Sequence, residues 1–263
     1  MRRLFIDIET SPNIVFSWST GYKTFIDYQN IIRERSIICI CYKWADEKAV
    51  KFLKWDGKQN DKSMVAKIIS VLNEADEVIG HNIEQFDLPW IRTRAMFHGI
   101  RTNPHYKCID TLKYSRMKMY LNSNKLDYLA RYLGVGCKIK TEFALWKKIA
   151  LYNDKKALAK MIKYCKMDVL LLERVYDKLA EHMAAQTHAG VMAGSDKWTC
   201  PHCGSANVHA EKTRVSALGS VKHQLQCNVD GRYYTVSDKT FRDYSEKRKA
   251  DAEAARKARK RII

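Results

Sequence analysis

At 263 residues, 46% hydrophobic and 29% charged, the chain can bury one full core with material left for a small appendage, so two domains are expected. Lys and Arg outnumber Asp and Glu by 47 to 29, a net charge of +18, of which +7 falls in residues 196–263 and +11 in residues 1–195; a field of that sign spread over the chain favours a polyanion partner. No run approaches the roughly 18 apolar residues that a bilayer span needs, and Asp7 cuts the apolar start short, which argues against a signal peptide; the expectation is a cytoplasmic protein with no membrane partner.

In chain order, Arg3-Leu-Phe-Ile-Asp-Ile-Glu9 reads as a buried strand. Residues 11–35 follow as an aromatic stretch with Phe16, Trp18, Tyr22, Phe25 and Tyr28. These aromatics either stack single-stranded bases, with Lys23, Arg33 and Arg35 on phosphates, or form a hydrophobic flap over the sheet. Residues 36–44 and 49–55 read as strands joined by a hairpin, and residues 61–73 as a helix with Asp61 as candidate N-cap. A short strand at 77–80 precedes a helix that must start near Asp87 or Leu88, because Pro89 is tolerated only in its first turn. Another strand at 106–109 leads into a helix through about Tyr120, with Asp110 its N-cap. Residues 126–133 continue in helix up to Gly134-Val-Gly136, and residues 154–185 form the longest amphipathic segment, with a stripe from Leu158 to Met183. Strands first and then strands alternating with helices imply an α/β domain over residues 1–185, a mixed sheet covered by helices. Gln186–Lys197 is rich in small and polar residues and reads as a linker, and the basic run from Lys239 to Arg261 as a frayed helix or a disordered arm.

Three acidic signatures carry the chemistry: Asp7-Ile-Glu9, Asn82 through Phe86-Asp87, and Tyr164 through Asp168. The period of two puts Asp7 and Glu9 on one strand face, and the i, i+4 spacing puts Tyr164 and Asp168 on one helix face. Four carboxylates and a phenol are what a two-metal phosphodiesterase needs, since two hard divalent ions require several converging oxygens. In this order the signatures resemble the three motifs of the DEDD (DnaQ-like) 3′–5′ exonucleases, in the subclass with tyrosine in the third motif. The flanking text, Asp7-Ile-Glu-Thr10 and Gly80-His-Asn-Ile through Phe86-Asp-Leu-Pro-Trp-Ile, is similar to the proofreading domains of family B DNA polymerases.

That resemblance covers about residues 1–185 and implies a ribonuclease H-like fold with two Mg²⁺ or Mn²⁺ ions. It implies that Asp7 bridges both metals, that Glu9 and Asp168 complete the one nearer the nucleophile, and that Asp87 holds the second through water. Tyr164 is then expected to orient the attacking water, since a phenol with a pKa near 10 is a poor base at neutral pH. Thr10, Asn82 and Phe86 are candidate substrate contacts; Asn82 either bonds the strand backbone or stabilises its own loop, and Phe86 either packs on the terminal base or lies in the core.

Of eight cysteines, only Cys200, Cys203 and Cys227 show ligand-like spacing. Trp198-Thr-Cys-Pro-His-Cys-Gly204 is a zinc-knuckle half-site, and Cys227-Asn-Val-Asp230-Gly-Arg-Tyr places Asp230 where a fourth cysteine belongs. The segment 198–238 is similar to the zinc ribbons of transposases and DNA-binding proteins, with that one departure. Structural Zn²⁺ on Cys200, Cys203, Cys227 and Asp230 is expected, with His223 as the rival fourth ligand. The expected function is removal of nucleoside monophosphates from the 3′ ends of nucleic acid, DNA rather than RNA and single-stranded, with replication or repair proteins as possible partners. The alternatives are an RNA exonuclease and a non-catalytic nucleic-acid adaptor.

Overall fold

The computed structural model describes residues 1–21 and 23–260, with side chains through Lys257; Tyr22 of the aromatic stretch and Arg261 of the basic run lie outside the described residues. The chain divides into two units, residues 2–183 and residues 184–263.

The first unit is built on a five-stranded sheet in the order β5-β4-β1-β6-β7, made of β1 (Arg3–Thr10), β4 (Ile37–Trp44), β5 (Lys51–Lys54), β6 (Glu77–Gly80) and β7 (Lys107–Asp110). The sheet is mixed: β1 pairs antiparallel with β4 and parallel with β6, and β6 parallel with β7. Strand β4 is buried at every position, which is why it reads as a continuous apolar run. On β1, Phe5 packs edge-on against Tyr176 of helix α6 (Lys155–Ala180), with ring centroids 5.5 Å apart. The period of two therefore turns Phe5, Asp7 and Glu9 toward α6, and Leu4, Ile6 and Ile8 toward the opposite layer, formed by α1 (Lys62–Asn73) and α2 (Asp87–Phe97). The fold is ribonuclease H-like, an α/β sheet flanked by helices.

Helix α2 starts at Asp87, so Pro89 falls in the first turn as steric reasoning requires. Asp110 caps α3 (Thr111–Lys118) by accepting from the N–H groups of Leu112 and Lys113. Helix α4 (Leu126–Tyr132) ends before Gly134, whose φ of +68° needs no Cβ. Helix α5 (Ala144–Tyr152) has no counterpart in the sequence reading, since its buried residues are only Leu145, Ile149 and Ala150.

Several expectations need correction. Asp61 precedes α1 but makes no cap bond. Its fully buried carboxylate instead takes both ends of the Arg94 guanidinium at 2.8 Å, His98 Nε2 at 2.7 Å and the Ile37 N–H at 3.0 Å. A buried charge is tolerable only with such a partner set, and the partner set outcompetes the cap. The described residues of this stretch include a small hairpin of β2 (Ile14–Val15) and β3 (Ile31–Arg33), with Phe16, Trp18, Phe25 and Tyr28 exposed rather than lying as a flap on the sheet. Arg33 and Arg35 have protein partners: Arg33 bonds Gln59 and the Ala150 carbonyl, and Arg35 donates to Thr10 Oγ1 and the Ser11 carbonyl while stacking on Trp90.

The second unit has a three-stranded antiparallel sheet, β8 (Val208–Val215), β9 (Val221–Cys227) and β10 (Tyr233–Ser237), with β9 central. Its core is small: Trp198, Cys200, Val208, Leu225, Cys227, Val236 and Tyr244. Tyr244 comes from α8 (Asp238–Lys260), so the start of the basic run is a helix seated on the sheet, with Phe241 stacked on His223 at 3.8 Å. The expected linker also belongs to this unit's fabric. A short helix α7 (Ala189–Met192) lies so close to the cysteine turn that a Cβ on Gly190 would sit 2.1 Å from Thr199 Oγ1, and the Ala189 N–H donates to the Pro201 carbonyl at 2.9 Å. No described helix is long and apolar enough to cross a membrane.

Candidate active site and cysteine cluster

Strand β1 pairs with β6 only through Phe5, so its last residues run on beyond that neighbour. The Ile8 N–H donates at 3.0 Å to Asp87 Oδ1, which anchors the first residue of α2 beside the overhang. Asp7 and Glu9 thus project toward α6, where Asp168 waits one turn after Tyr164. Ligand oxygens of Asp7, Glu9 and Asp168 all lie within 4.8 Å of one another. Asp87 is buried at the margin and is not among the three whose oxygens converge.

The electrostatics are those of a site short of positive charge. Burial, then the charges of Asp87, Glu9 and Asp168, pushes Asp7 well above the ordinary carboxylate range. Burial and Asp168 push Glu9 up to about 8. Burial pushes Asp87 up to about 7 against the stabilising Ile8 N–H. Burial also raises Asp168, opposed by Lys138 and Tyr164. Tyr164 is pushed up to about 12 by burial and Asp168, so it is a neutral phenol near pH 7.

Sequence reasoning missed Lys138. Its ammonium lies 2.7 Å from Asp168 Oδ2 and 5.4 Å from the centre of the Tyr164 ring. Burial works against that ammonium, but Asp168 holds its pKa above the usual lysine value. It lies in the coil between Gly136 and α5, where no periodicity marks a residue as facing inward; the only signal was a basic residue just past two glycines at a helix end.

The other predicted contacts are distributed as follows. Asn82 adopts φ +69°, and its N–H donates to Asp110 Oδ1 at 2.9 Å, while the Glu84 N–H donates to Oδ2 at 3.2 Å. Asp110 therefore staples the second motif's loop to β7 as well as capping α3. Gly80 permits the approach, since a Cβ there would stand 2.5 Å from that of Ile83. Phe86 is partly buried against the core, with Arg35 6.0 Å from its ring centre, and the Thr10 hydroxyl is taken by Arg35.

The acidic trio fits divalent metal on one specific observation: Asp168 Oδ1 is buried and has no hydrogen-bond partner. A buried, unpaired carboxylate oxygen next to two further carboxylates is a cation ligand in waiting. In the second unit, ligand atoms of Cys200, Cys203, Cys227 and Asp230 also lie within 4.8 Å of one another. Cys200 Sγ is 3.4 Å from Asp230 Oδ2, and Cys203 Sγ is 3.6 Å from Cys227 Sγ. Burial pushes the Cys200 thiol up to about 12. Asp230 Oδ1 accepts from the Arg232 N–H, which leaves Oδ2 to the sulfurs. His223 is not brought to this cluster: its Nδ1 meets Thr213 Oγ1 and its Nε2 meets Asp238, both at 3.0 Å.

A mixed sheet that carries converging acids at the end of its central strand and on the covering helix defines a nuclease class. The chain matches the RNase H superfamily over residues 4–180 and belongs to it. Among solved structures, it is similar to the family B DNA polymerase from the hyperthermophilic archaeon Pyrobaculum calidifontis, with a TM-score of 0.53 and 17% identity. The match covers 68% of this chain and 24% of the polymerase, so the likeness spans about a quarter of that enzyme's length and concerns the fold. No curated protein matches the chain at a significant level.

Proposed function

We propose that the chain is a metal-dependent 3′–5′ exonuclease of the DEDD type, acting on single-stranded DNA ends. The observation that carries this reading is the convergence of Asp7, Glu9 and Asp168 around an unpartnered buried oxygen. Two Mg²⁺ or Mn²⁺ ions, when bound, would lower the pKa of a water and neutralise charge on the phosphate. Asp7, Glu9 and Asp168 would hold them, with Asp87 at the margin.

The chain's own groups do the rest. The Tyr164 hydroxyl, protonated at neutral pH, orients the water for in-line attack on the terminal phosphorus. A water O–P bond forms and the P–O3′ bond breaks, giving a nucleoside 5′-monophosphate and a strand shortened by one residue with a new 3′-hydroxyl. Lys138 keeps Asp168 in place and offers positive charge beside the reacting phosphate. The Asn82 side chain, above a left-handed backbone at φ +69°, would bond the strand backbone.

In the second unit we propose a structural Zn²⁺ held by Cys200, Cys203, Cys227 and Asp230, supported by the convergence of those four side chains. A replication or repair context is consistent with the polymerase likeness.

The function is tested with a 5′-labelled single-stranded oligonucleotide in Mg²⁺ or Mn²⁺, beside an Asp7→Ala variant and a matched RNA strand. Stepwise shortening from the 3′ end with mononucleotide release is expected from the wild type, with loss of at least a thousandfold in the variant, about 4 kcal/mol of transition-state stabilisation. Equal activity in the variant sinks the reading, and faster loss of the RNA moves it to a ribonuclease.

A further inference from the structure

The first unit carries a cationic feature that the carboxylate site does not use. A cleft of about 440 Å³ opens among residues 140–142, α5 and the first turns of α6, and four lysines line it: Lys140, Lys148, Lys156 and Lys160. All four are exposed, and none forms a salt bridge among the described residues. Two acids share the cleft. Asp154 accepts at Oδ1 from the N–H groups of Lys156 and Ala157 as the cap of α6 and also faces the charges of Lys148 and Lys156, so with Glu142 two carboxylates stand against four lysines and an excess of positive charge remains. Across residues 138–166 the chain has nine lysines and two acids. Like charges gathered around one concavity repel each other, and a polyanion laid along them relieves that repulsion while releasing its counterions.

Placement decides what the anion is. Lys156, Lys160, Tyr164 and Asp168 follow one another in steps of four residues along α6, about 6 Å of rise per step. The cleft therefore begins about one turn from Tyr164 and extends to about 18 Å from Asp168. The coil gives a second route, because Lys140 lies two residues from Lys138, whose ammonium meets Asp168. A small free phosphate is poorly served here: the lysines are exposed, and the α6 N-terminal amides are already capped by Asp154. A strand whose end is already held at the acids meets the cleft at high effective concentration, so weak point-charge contacts suffice. Lysines without arginines suit sequence-independent contact with phosphates.

We propose that this cleft is the track for the phosphate backbone of the single strand whose 3′ end occupies the carboxylate site, several nucleotides upstream of the scissile bond. The proposal rests on the nuclease reading and deepens it.

The test measures binding without cleavage. In an Asp7→Ala background, Lys148→Gln/Lys156→Gln and Lys148→Arg/Lys156→Arg proteins are compared by fluorescence anisotropy with labelled strands of 2 and 16 nucleotides over a salt series. A parallel arm displaces the probe with thymidine 5′-monophosphate. The expected result is about tenfold weaker binding of the 16-mer by the Gln pair, with its salt slope smaller by about 1.4, from about 0.7 per phosphate contact on single strands. The dinucleotide and the monophosphate should be unaffected, and the Arg pair should behave as the parent. Catalytically competent protein with the Gln pair should show a raised KM for the 16-mer at constant kcat. Unchanged affinity and salt slope for the 16-mer overturn the proposal, as does equal loss for the dinucleotide or monophosphate, which would mark a site for small anions. Absence of mononucleotide release by the wild type is a separate failure, that of the nuclease reading, because the anisotropy arm needs no catalysis.

Discussion

The two candidate metal sites of this molecule are assembled in opposite ways. The carboxylates come from a central strand and a long helix far apart in sequence, and behind them stands a core of large side chains, among them Leu4, Phe5, Ile6, Ile38, Ile40 and Met161. The four zinc-ligand candidates come from the turn at Cys200 and Cys203 and from the end of β9 with the turn after it, and the core behind them has seven buried residues, two of which are the cysteines themselves. Where the scaffold folds on apolar burial, it can force like charges together and leave them short of a counter-ion. Where the scaffold is too small for that, the proposed ion is expected to contribute to folding.

The largest effect expected from this contrast is on the second unit. Chelation of zinc, or Cys200→Ser, is expected to unfold residues 184–263 while residues 2–183 stay folded, because a structural zinc contributes on the order of 10 kcal/mol of binding free energy to such a unit. Metal analysis with limited proteolysis reads this directly. Full zinc content in both Cys200→Ser and Asp230→Ala proteins, or a protease-resistant second unit without zinc, breaks the comparison.

The first unit should instead depend on its own buried interactions, and Asp61 is the sharpest probe. Burial alone would raise this carboxyl, but Arg94, His98 and the Ile37 N–H outweigh it and hold it below the ordinary carboxylate value. A depressed folded pKa means that the stabilisation is complete above the unfolded value of about 4 and is lost as the pH falls below it. Asp61→Asn is expected to cost about 3 to 5 kcal/mol at pH 7, the cost of stranding one partner of a buried ion pair. In denaturant titrations the gap between wild type and variant should narrow below about pH 4. A gap independent of pH would assign the cost to packing rather than charge.

The same residue marks the limit of what can be read from sequence. Local rules located β1, the shared face of Asp7 and Glu9, the stripe of α6 and the start of α2 just ahead of Pro89, because each depends on period or on one residue's sterics. Asp61 reads locally as a cap; its real partner is 33 residues away on another helix, and no pattern near Asp61 announces Arg94. Arg33 and Arg35 make the same point, since their partners are supplied by the tertiary fold and nothing near them in the chain announces those partners. Lys138 is the reverse case, a coil residue with no local signature that the fold brings onto Asp168. Helix α5 escaped because nine residues with so few buried positions give the 3.6 period little to register.

The smallest effect concerns the repulsion stored at the acidic site. With Asp7, Glu9, Asp87 and Asp168 so placed, Lys138 is the cation seen closest to them, and it meets only Asp168 Oδ2, leaving Oδ1 unpartnered. The metal-free site therefore works against folding, and the core carries that cost. Asp7→Asn removes, with little change in shape, a carboxyl whose ionised form burial and the neighbouring acids disfavour in the folded, metal-free protein. In EDTA the variant should be more stable than wild type by about 1 kcal/mol, within the range of single substitutions but opposite in sign to most. In excess Mg²⁺ or Mn²⁺ the order should reverse, because only the wild type retains the full ligand set and gains stability by mass action as the ion binds. Thermal unfolding of both proteins with and without metal measures the crossing. A variant less stable than wild type in EDTA would mean that Lys138 and the surrounding dipoles already neutralise the trio, and the first unit would then be no more strained by its site than the second.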